Sequence, residues 1–231
     1  MFYTRHKEIA ILVFANSSKE ELNNKSMPSG ARVFDVLTEL TLKTVKKTKL
    51  PYFHLSEKEQ YGNSFGERFS NAIHSVFEKG YERIITIGND TPYLKASHIM
   101  EASRQLANGK NVLGPSTDGG FYLMGLHKSH FSIGEFQKLS WQTSTLLNEV
   151  AVLLGAKHQE PLQLPVLFDL DNVKDFQLFF KRFKSIPIKL LEIFKCLFTR
   201  TVENFCFIIL FFDNYYFKVF YNKGSPSLLH T

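Results

Sequence analysis

A chain of 231 residues with 44% hydrophobic and 22% charged side chains can bury a substantial core, and its composition excludes disordered, collagen-like and coiled-coil classes. The net charge of +6 is unevenly spread, since residues 1–175 carry 20 basic and 19 acidic side chains while residues 176–231 carry 8 and 3. A near-neutral body leaves no electrostatic footprint for nucleic acid, so no nucleic-acid partner is expected, although a local anion pocket is compatible with it.

Ile9 to Phe14 is a short run with no polar alternation, the pattern of a strand buried on both faces of a parallel sheet. The run is too short for a signal-peptide core, and a cytoplasmic protein is expected. Asn16 to Gly30 reads as a polar connection. Val33, Leu37, Leu40, Thr41 and Thr44 then have helical spacing, and Pro51 to Leu55 reads as a second strand. Phe65, Phe69, Ala72, Ile73, Val76 and Phe77 recur at three and four, predicting an amphipathic helix that ends at Gly80. A strand from Arg83 to Ile87, a helix from about Lys95 to Leu106, a strand from Asn111 to Gly114 and a strand from Phe121 to Leu126 follow. This alternation predicts an α/β fold: a mostly parallel twisted sheet with helices on both faces, whose ligands sit beyond the carboxyl ends of the strands.

Two loops follow strands in this scheme. In Gly88-Asn89-Asp90-Thr91-Pro92 the proline ends the strand ladder and Gly88 permits close approach, which fixes the Asp90 carboxylate at the strand end. Asp90 then reads either as a metal ligand or as the cap of the next helix. Gly114-Pro115-Ser116-Thr117-Asp118-Gly119-Gly120 reads either as a loop whose backbone approaches a phosphate or sugar, or as a plain hairpin turn. Farther on, Asp169 and Asp171 stand two residues apart, so on an extended chain both carboxylates point to one side and reach one divalent ion; the alternative is a helix start. His98, His127 and His130 have no recognisable partner in the sequence and read as solvent-exposed side chains.

The run Gly88 to Leu94, the longer run Leu113 to Leu126, then Trp141 and then Asp169-Leu170-Asp171 resemble, in order and spacing, the DUF2064 family of glycosyltransferase-A-like proteins. The resemblance spans roughly residues 8 to 178, so residues 1–180 are expected to form a glycosyltransferase-A (Rossmann-like) nucleotide-sugar-binding domain and residues 181–231 a separate extension. It implies a metal-dependent transferase that uses Mg²⁺ or Mn²⁺ and binds a nucleotide or nucleotide sugar with a small-molecule acceptor. Glycosyl transfer is the first expectation; nucleotidyl transfer on the related fold and non-catalytic nucleotide-sugar binding are the alternatives.

Carried over residue by residue, the resemblance makes Asp90, Asp169 and Asp171 the metal ligands, with Asp90 and Asp118 as the catalytic carboxylates and Asp118 on a ligand hydroxyl. Gly114, Gly119 and Gly120 would shape the substrate pocket. Gly66-Glu67-Arg68 matches the family's Gly-x-Arg segment and would bring Arg68 to phosphates, against a plain helix-surface charge. Trp141 would line the pocket, against simple packing. One departure stands out. Many members carry a lysine-rich loop ending in Lys-Thr-Arg-Leu after the first strand, whereas here Asn16 to Leu22 places Glu20 and Glu21 beside Lys19. That is a poor anion site, which counts against triphosphate binding in the family's usual manner, and Lys25 and Arg32 are substitutes outside the motif.

The last segment, residues 176–231, holds 12 of the 23 phenylalanines. It is expected to be an aromatic, basic helical tail. Phe205 to Phe212 is far short of a membrane span, which leaves burial or peripheral contact with anionic lipid. Cys196 and Cys206 lie there without metal-ligand spacing.

Overall fold

A computed structural model describes residues 7–24, 31–156, 159–170, 173–182, 186 and 188–192. The chain divides into two compact units, residues 1–184 and 185–231. In the second unit only residues 186 and 188–192 are described, so the readings of Cys196, Cys206 and Phe205 to Phe212 lie outside the described residues. Among the described residues no helix is long and apolar enough to cross a membrane.

The first unit is built on a six-stranded sheet. Its strands are β1 (Lys7–Phe14), β2 (Tyr52–Leu55), β3 (Tyr81–Ile87), β4 (Val112–Pro115), β5 (Phe121–His127) and β6 (Leu162–Gln163), in the spatial order β2-β1-β3-β5-β4-β6. β1 pairs in parallel with β2 and β3, and β4 in parallel with β6. β5 is antiparallel to both neighbours and lies between β3 and β4, so five strands share one direction. The predicted sheet is therefore present, with one reversed strand inserted by the β4–β5 hairpin.

The helices are α1 (Ser18–Asn24), α2 (Ala31–Lys47), α3 (Phe65–Glu78), α4 (Ala96–Ala107), α5 (Ile133–Gln137), α6 (Leu146–Ala156) and α7 (Val173–Arg182). Side chains of β1 explain how they are recruited. Ala10, Leu12 and Phe14 join a core with Phe69, Ile73 and Phe77 of α3, Phe136 of α5 and Val150 and Leu154 of α6. Ile11 and Val13 face the other way, into a core with Val45 of α2 and Ile99, Ala102 and Leu106 of α4. Successive strand residues point to opposite faces, so a strand apolar at every position must be covered twice. Each fully buried valine, leucine, isoleucine or phenylalanine among them stabilises the fold by roughly 1.5–3 kcal/mol.

Two expectations need correction. The polar connection after β1 is not an open loop, because Ser18–Asn24 is helical. Ser17 precedes it with its carbonyl accepting from Glu21 N (2.9 Å), the first-turn bond of a short helix. The histidines read as exposed are half-buried and engaged. His98 Nδ1 accepts from Lys95 N, and the His98 pKa is lowered by burial first and by Lys95 second. His127 pairs with Ser129, and His130 with Asn111.

Candidate functional site

Three loops converge at the carboxyl edge of the sheet. β3 ends at Ile87, and the chain turns through Gly88 to Pro92. α4 begins at Ala96 with Lys95 at its cap, so Asp90 is not the cap of that helix. The Asp90 carbonyl accepts instead from Leu170 N (2.9 Å), while Leu167 N donates to the Pro115 carbonyl (3.1 Å) and Leu167 makes a parallel bridge with Ser116. Residues 167–170 thus run from the end of β4 to the end of β3 and carry Asp169 into the space between the two loops.

Asp169 is 8% exposed. Thr91 Oγ1 donates to its Oδ1 (2.6 Å) and lies 3.5 Å from Asp90 Oδ1. Burial first, then the charge of Asp90 and to a lesser degree that of Asp118, push the Asp169 carboxyl up to about 8, against the hydrogen bonds of Thr91 and Ser116. Three carboxylates from separate parts of the chain therefore share one electrostatic environment. At Gly88 a Cβ would stand 3.2 Å from Asp90 Oδ1, so the glycine gives that carboxylate room. Asn89 Nδ2 donates to Thr38 Oγ1 (2.8 Å) and ties the loop to α2.

Residues 114–120 form the hairpin between β4 and β5, and the same turn delivers Asp118 to the cluster. Ser116 N donates to the Gly120 carbonyl (3.1 Å) across the turn. Asp118 Oδ1 accepts from Ser116 Oγ (2.6 Å) and from Gly120 N (2.9 Å). The three glycines have separate reasons. At Gly114 a Cβ would lie 2.5 Å from the Tyr122 ring, at Gly120 it would crowd Asp118 and Ser116, and Gly119 has φ +91 with Ser144 Cα 2.7 Å from where a Cβ would stand. Tyr122 OH donates to the Pro165 carbonyl (3.0 Å), and burial, then the charge of Asp169, hold its phenol up at about 12.

Trp141 sits in an aromatic cluster with Phe65, Phe69 and Phe121, at centroid distances of 5.4, 4.9 and 6.2 Å, and its Nε1 donates to the Phe136 carbonyl (2.7 Å). Its ring lies where a Gly66 Cβ would have to go, with Nε1 2.7 Å from that position. The half-buried indole thus anchors its loop to α3. Arg68 stands two residues beyond Gly66, half-buried, and no ion pair or side-chain hydrogen bond of it occurs among the described residues.

At the end of β1 a carboxylate from the β2–α3 connection fills the corner. Glu57 accepts from Ser17 N (2.7 Å) and Ser17 Oγ (2.8 Å), and the backbone N–H of Ser17 is the leading reason its pKa is lowered. Asn16 Nδ2 donates to buried Glu21, and Gln60 Nε2 to Asn16 Oδ1. Lys19 lies on α1 and Arg32 on α2, whereas Lys25 is outside the described residues. Sequence reasoning missed Glu57, Thr91, Ser116 and Tyr122 as parts of this edge.

Asp90 and Asp169 offer hard oxygen donors suited to Mg²⁺ or Mn²⁺. Their neighbouring charges and the raised Asp169 carboxyl fit a cation better than an anion. Asp171 lies outside the described residues, and among the described residues no group of three or more His, Cys, Asp or Glu side chains is arranged to hold a metal ion.

Residues 40–143 match the family DUF2064, described as uncharacterized protein conserved in bacteria. No curated protein matches the chain. Among solved structures, a candidate nucleotide-diphospho-sugar transferase from Desulfovibrio desulfuricans G20 is similar at 21% identity and TM-score 0.70, covering 89% of this chain and 98% of that one. A 4-diphosphocytidyl-2C-methyl-D-erythritol synthase from Anaerococcus prevotii DSM 20548 matches at 11% identity and TM-score 0.48, covering 74% and 95%. Rv0371c of Mycobacterium tuberculosis H37Rv, in complex with manganese, matches at 10% identity and TM-score 0.45, covering 76% and 100%.

Proposed function

With a DUF2064 segment at residues 40–143 on a nucleotide-diphospho-sugar-transferase-like fold as premise, we propose that this chain is a divalent-metal-dependent transferase. It moves a glycosyl group from a nucleotide sugar to a small acceptor. The supporting observation is the convergence of Asp90, Asp118 and Asp169 at the carboxyl edge, where an open α/β sheet binds its ligands.

Asp90 and Asp169, with Asp171 from outside the described residues, would hold Mg²⁺ or Mn²⁺. When bound, the ion supplies neutralisation of the charge that develops on the leaving diphosphate. The protein's own groups position. Thr91 fixes Asp169 by a hydrogen bond, and Gly88 leaves room for Asp90. The turn Ser116–Gly120 holds one oxygen of Asp118, and the other makes no hydrogen bond among the described residues, so it is available to accept from an acceptor hydroxyl. The attacking group belongs to the acceptor, so no residue of the chain need act as a nucleophile. Arg68 is assigned to the phosphates, and Gly114, Gly119 and Gly120 to the shape of the pocket.

Nucleotidyl transfer is the second reading, since related folds perform it. The Glu57 carboxylate on the Ser17 donors weighs against it, because a triphosphate would meet negative charge at that corner. A direct test incubates the full chain with nucleotide sugars and a pool of small hydroxyl acceptors, or with nucleoside triphosphates and sugar phosphates, in Mn²⁺ or in chelator. Release of nucleoside diphosphate identifies glycosyl transfer, and release of pyrophosphate identifies nucleotidyl transfer. Turnover that survives both chelation and Asp90→Asn would overturn the metal-site reading, and binding without turnover would identify a non-catalytic binder.

A further inference from the structure

The segment from Leu139 to Leu147 bridges the carboxyl edge of the sheet and is fastened on both sides. On one side Trp141 packs on Gly66 at the start of α3 and on Phe121 of β5. On the other side Ser144 packs on Gly119 at the hairpin tip, and Leu147 N donates to the Gly119 carbonyl (3.0 Å). Between these anchors the segment is braced by Thr143 Oγ1 donating to the Ser140 carbonyl (2.6 Å), Ser140 N donating to Glu149 (2.8 Å) and Thr145 Oγ1 donating to Glu149 (2.8 Å).

Gln142 stands at the centre with φ +62. Among the described residues only one other non-glycine residue, Lys49, has a positive φ, and it lies in the turn after α2, a usual place for that conformation. A left-handed backbone disfavours any residue with a Cβ, and glycine would occupy position 142 without that cost. The Gln142 side chain is exposed, and no hydrogen bond of it occurs among the described residues, so folding gives no account of why a glutamine is held there. Strain maintained by surrounding bracing is a reason to look for function.

We propose that Gln142 is a specificity-determining residue that hydrogen-bonds the hydroxyls of the transferred sugar. This rests on the nucleotide-sugar reading above. The carboxamide offers an acceptor and two donors and carries no charge, which matches neutral vicinal hydroxyls better than a diphosphate. The loop attaches to the turn that carries Asp118, so the sugar contact and the carboxylates share one rigid support. The braced backbone keeps the amide in place before the ligand arrives, which limits the ordering cost of binding.

The test uses the full chain and Gln142→Gly and Gln142→Asn variants, titrated in Mn²⁺ with UDP-, GDP- and ADP-linked hexoses and with the corresponding nucleoside diphosphates. Both substitutions suit a left-handed backbone, so the thermal midpoint is expected to hold or rise. The preferred nucleotide sugar is expected to bind about tenfold more weakly to both variants, as for loss of one well-placed hydrogen bond, while affinity for the free diphosphate is unchanged. Unchanged nucleotide-sugar affinity in both variants, or an equal fall for the diphosphate, would overturn the assignment. A wild type that binds the diphosphate and gains nothing from the sugar overturns this inference alone, whereas a wild type that binds neither overturns the nucleotide-sugar reading with it.

Discussion

Replacing Asp169 by Asn should stabilise the metal-free protein at neutral and alkaline pH while changing little in acid. In the folded chain the carboxyl titrates at about 8, against an ordinary value of 3.8, because it is buried beside Asp90. The folded state thus holds a proton that the unfolded state has released, and stability is full below 3.8 and falls as pH rises towards about 8. The slope is about 1.4 kcal/mol per pH unit, so the loss is at most about 4 kcal/mol by pH 7. Asparagine keeps the shape and can still accept from Thr91, yet cannot ionise. Urea unfolding of both proteins in chelator from pH 4 to 9 gives the difference directly. The variant should match the wild type near pH 4 and exceed it by a few kcal/mol near pH 8. Parallel curves across the range, or a wild type that is the more stable at pH 8, would refute the buried-carboxylate argument.

Cation binding should show the opposite dependence. A divalent ion must displace the Asp169 proton, so Mn²⁺ affinity should rise about tenfold per pH unit from about pH 5.5 to 7.5, with about one proton released per ion as read by calorimetry in buffers of different ionisation enthalpy. Trp141→Ala should cost about 3 kcal/mol through its three aromatic partners and the Phe136 hydrogen bond. Gly66→Ala disrupts the same contact, so the double variant should be less destabilised than the sum of the singles in a double-mutant cycle. Gly119→Ala should cost more than about 2 kcal/mol, because the left-handed backbone and the overlap with Ser144 add together; a change under 0.5 kcal/mol in urea unfolding would contradict the packed hairpin tip.

The parts of this fold that depend on local periodicity could be read from the sequence. β1 from Ile9 to Phe14 is apolar without alternation because both faces of the sheet are covered, Ile84, Ile85 and Ile87 of β3 likewise enter both cores, and α2, α3 and α4 carry apolar stripes that match that cover. Asp90 was legible as a strand-end carboxylate because proline and glycine flank it. Short elements were not: α5 has five residues and β6 two, too few for a period to emerge. The reversed placement of β5 depends on pairing with β3, a partner far back in the chain, although Asp118-Gly119 did carry a hairpin signal. The polar sequence of Ser18–Asn24 concealed a helix. At the site, Thr91 meets Asp169 across 78 residues and Ser17 meets Glu57 across 40, and no local pattern encodes such pairs. Trp141 could be read as pocket or as packing, and its indole lies in an aromatic cluster with the Gln142 side chain exposed beside it.

On the proposed function, the carboxylate cluster at the carboxyl edge binds a divalent ion together with a nucleotide sugar. Calorimetric titration of the full chain with a panel of nucleotide sugars, in Mn²⁺ and in chelator, and again on Asp90→Asn, tests it most directly. One nucleotide sugar should bind in Mn²⁺, chelation should abolish binding, and Asp90→Asn should weaken it at least about tenfold, the loss of a charge-assisted contact. Binding of equal strength under all three conditions, or no binding of any nucleotide sugar by the wild type, would contradict it.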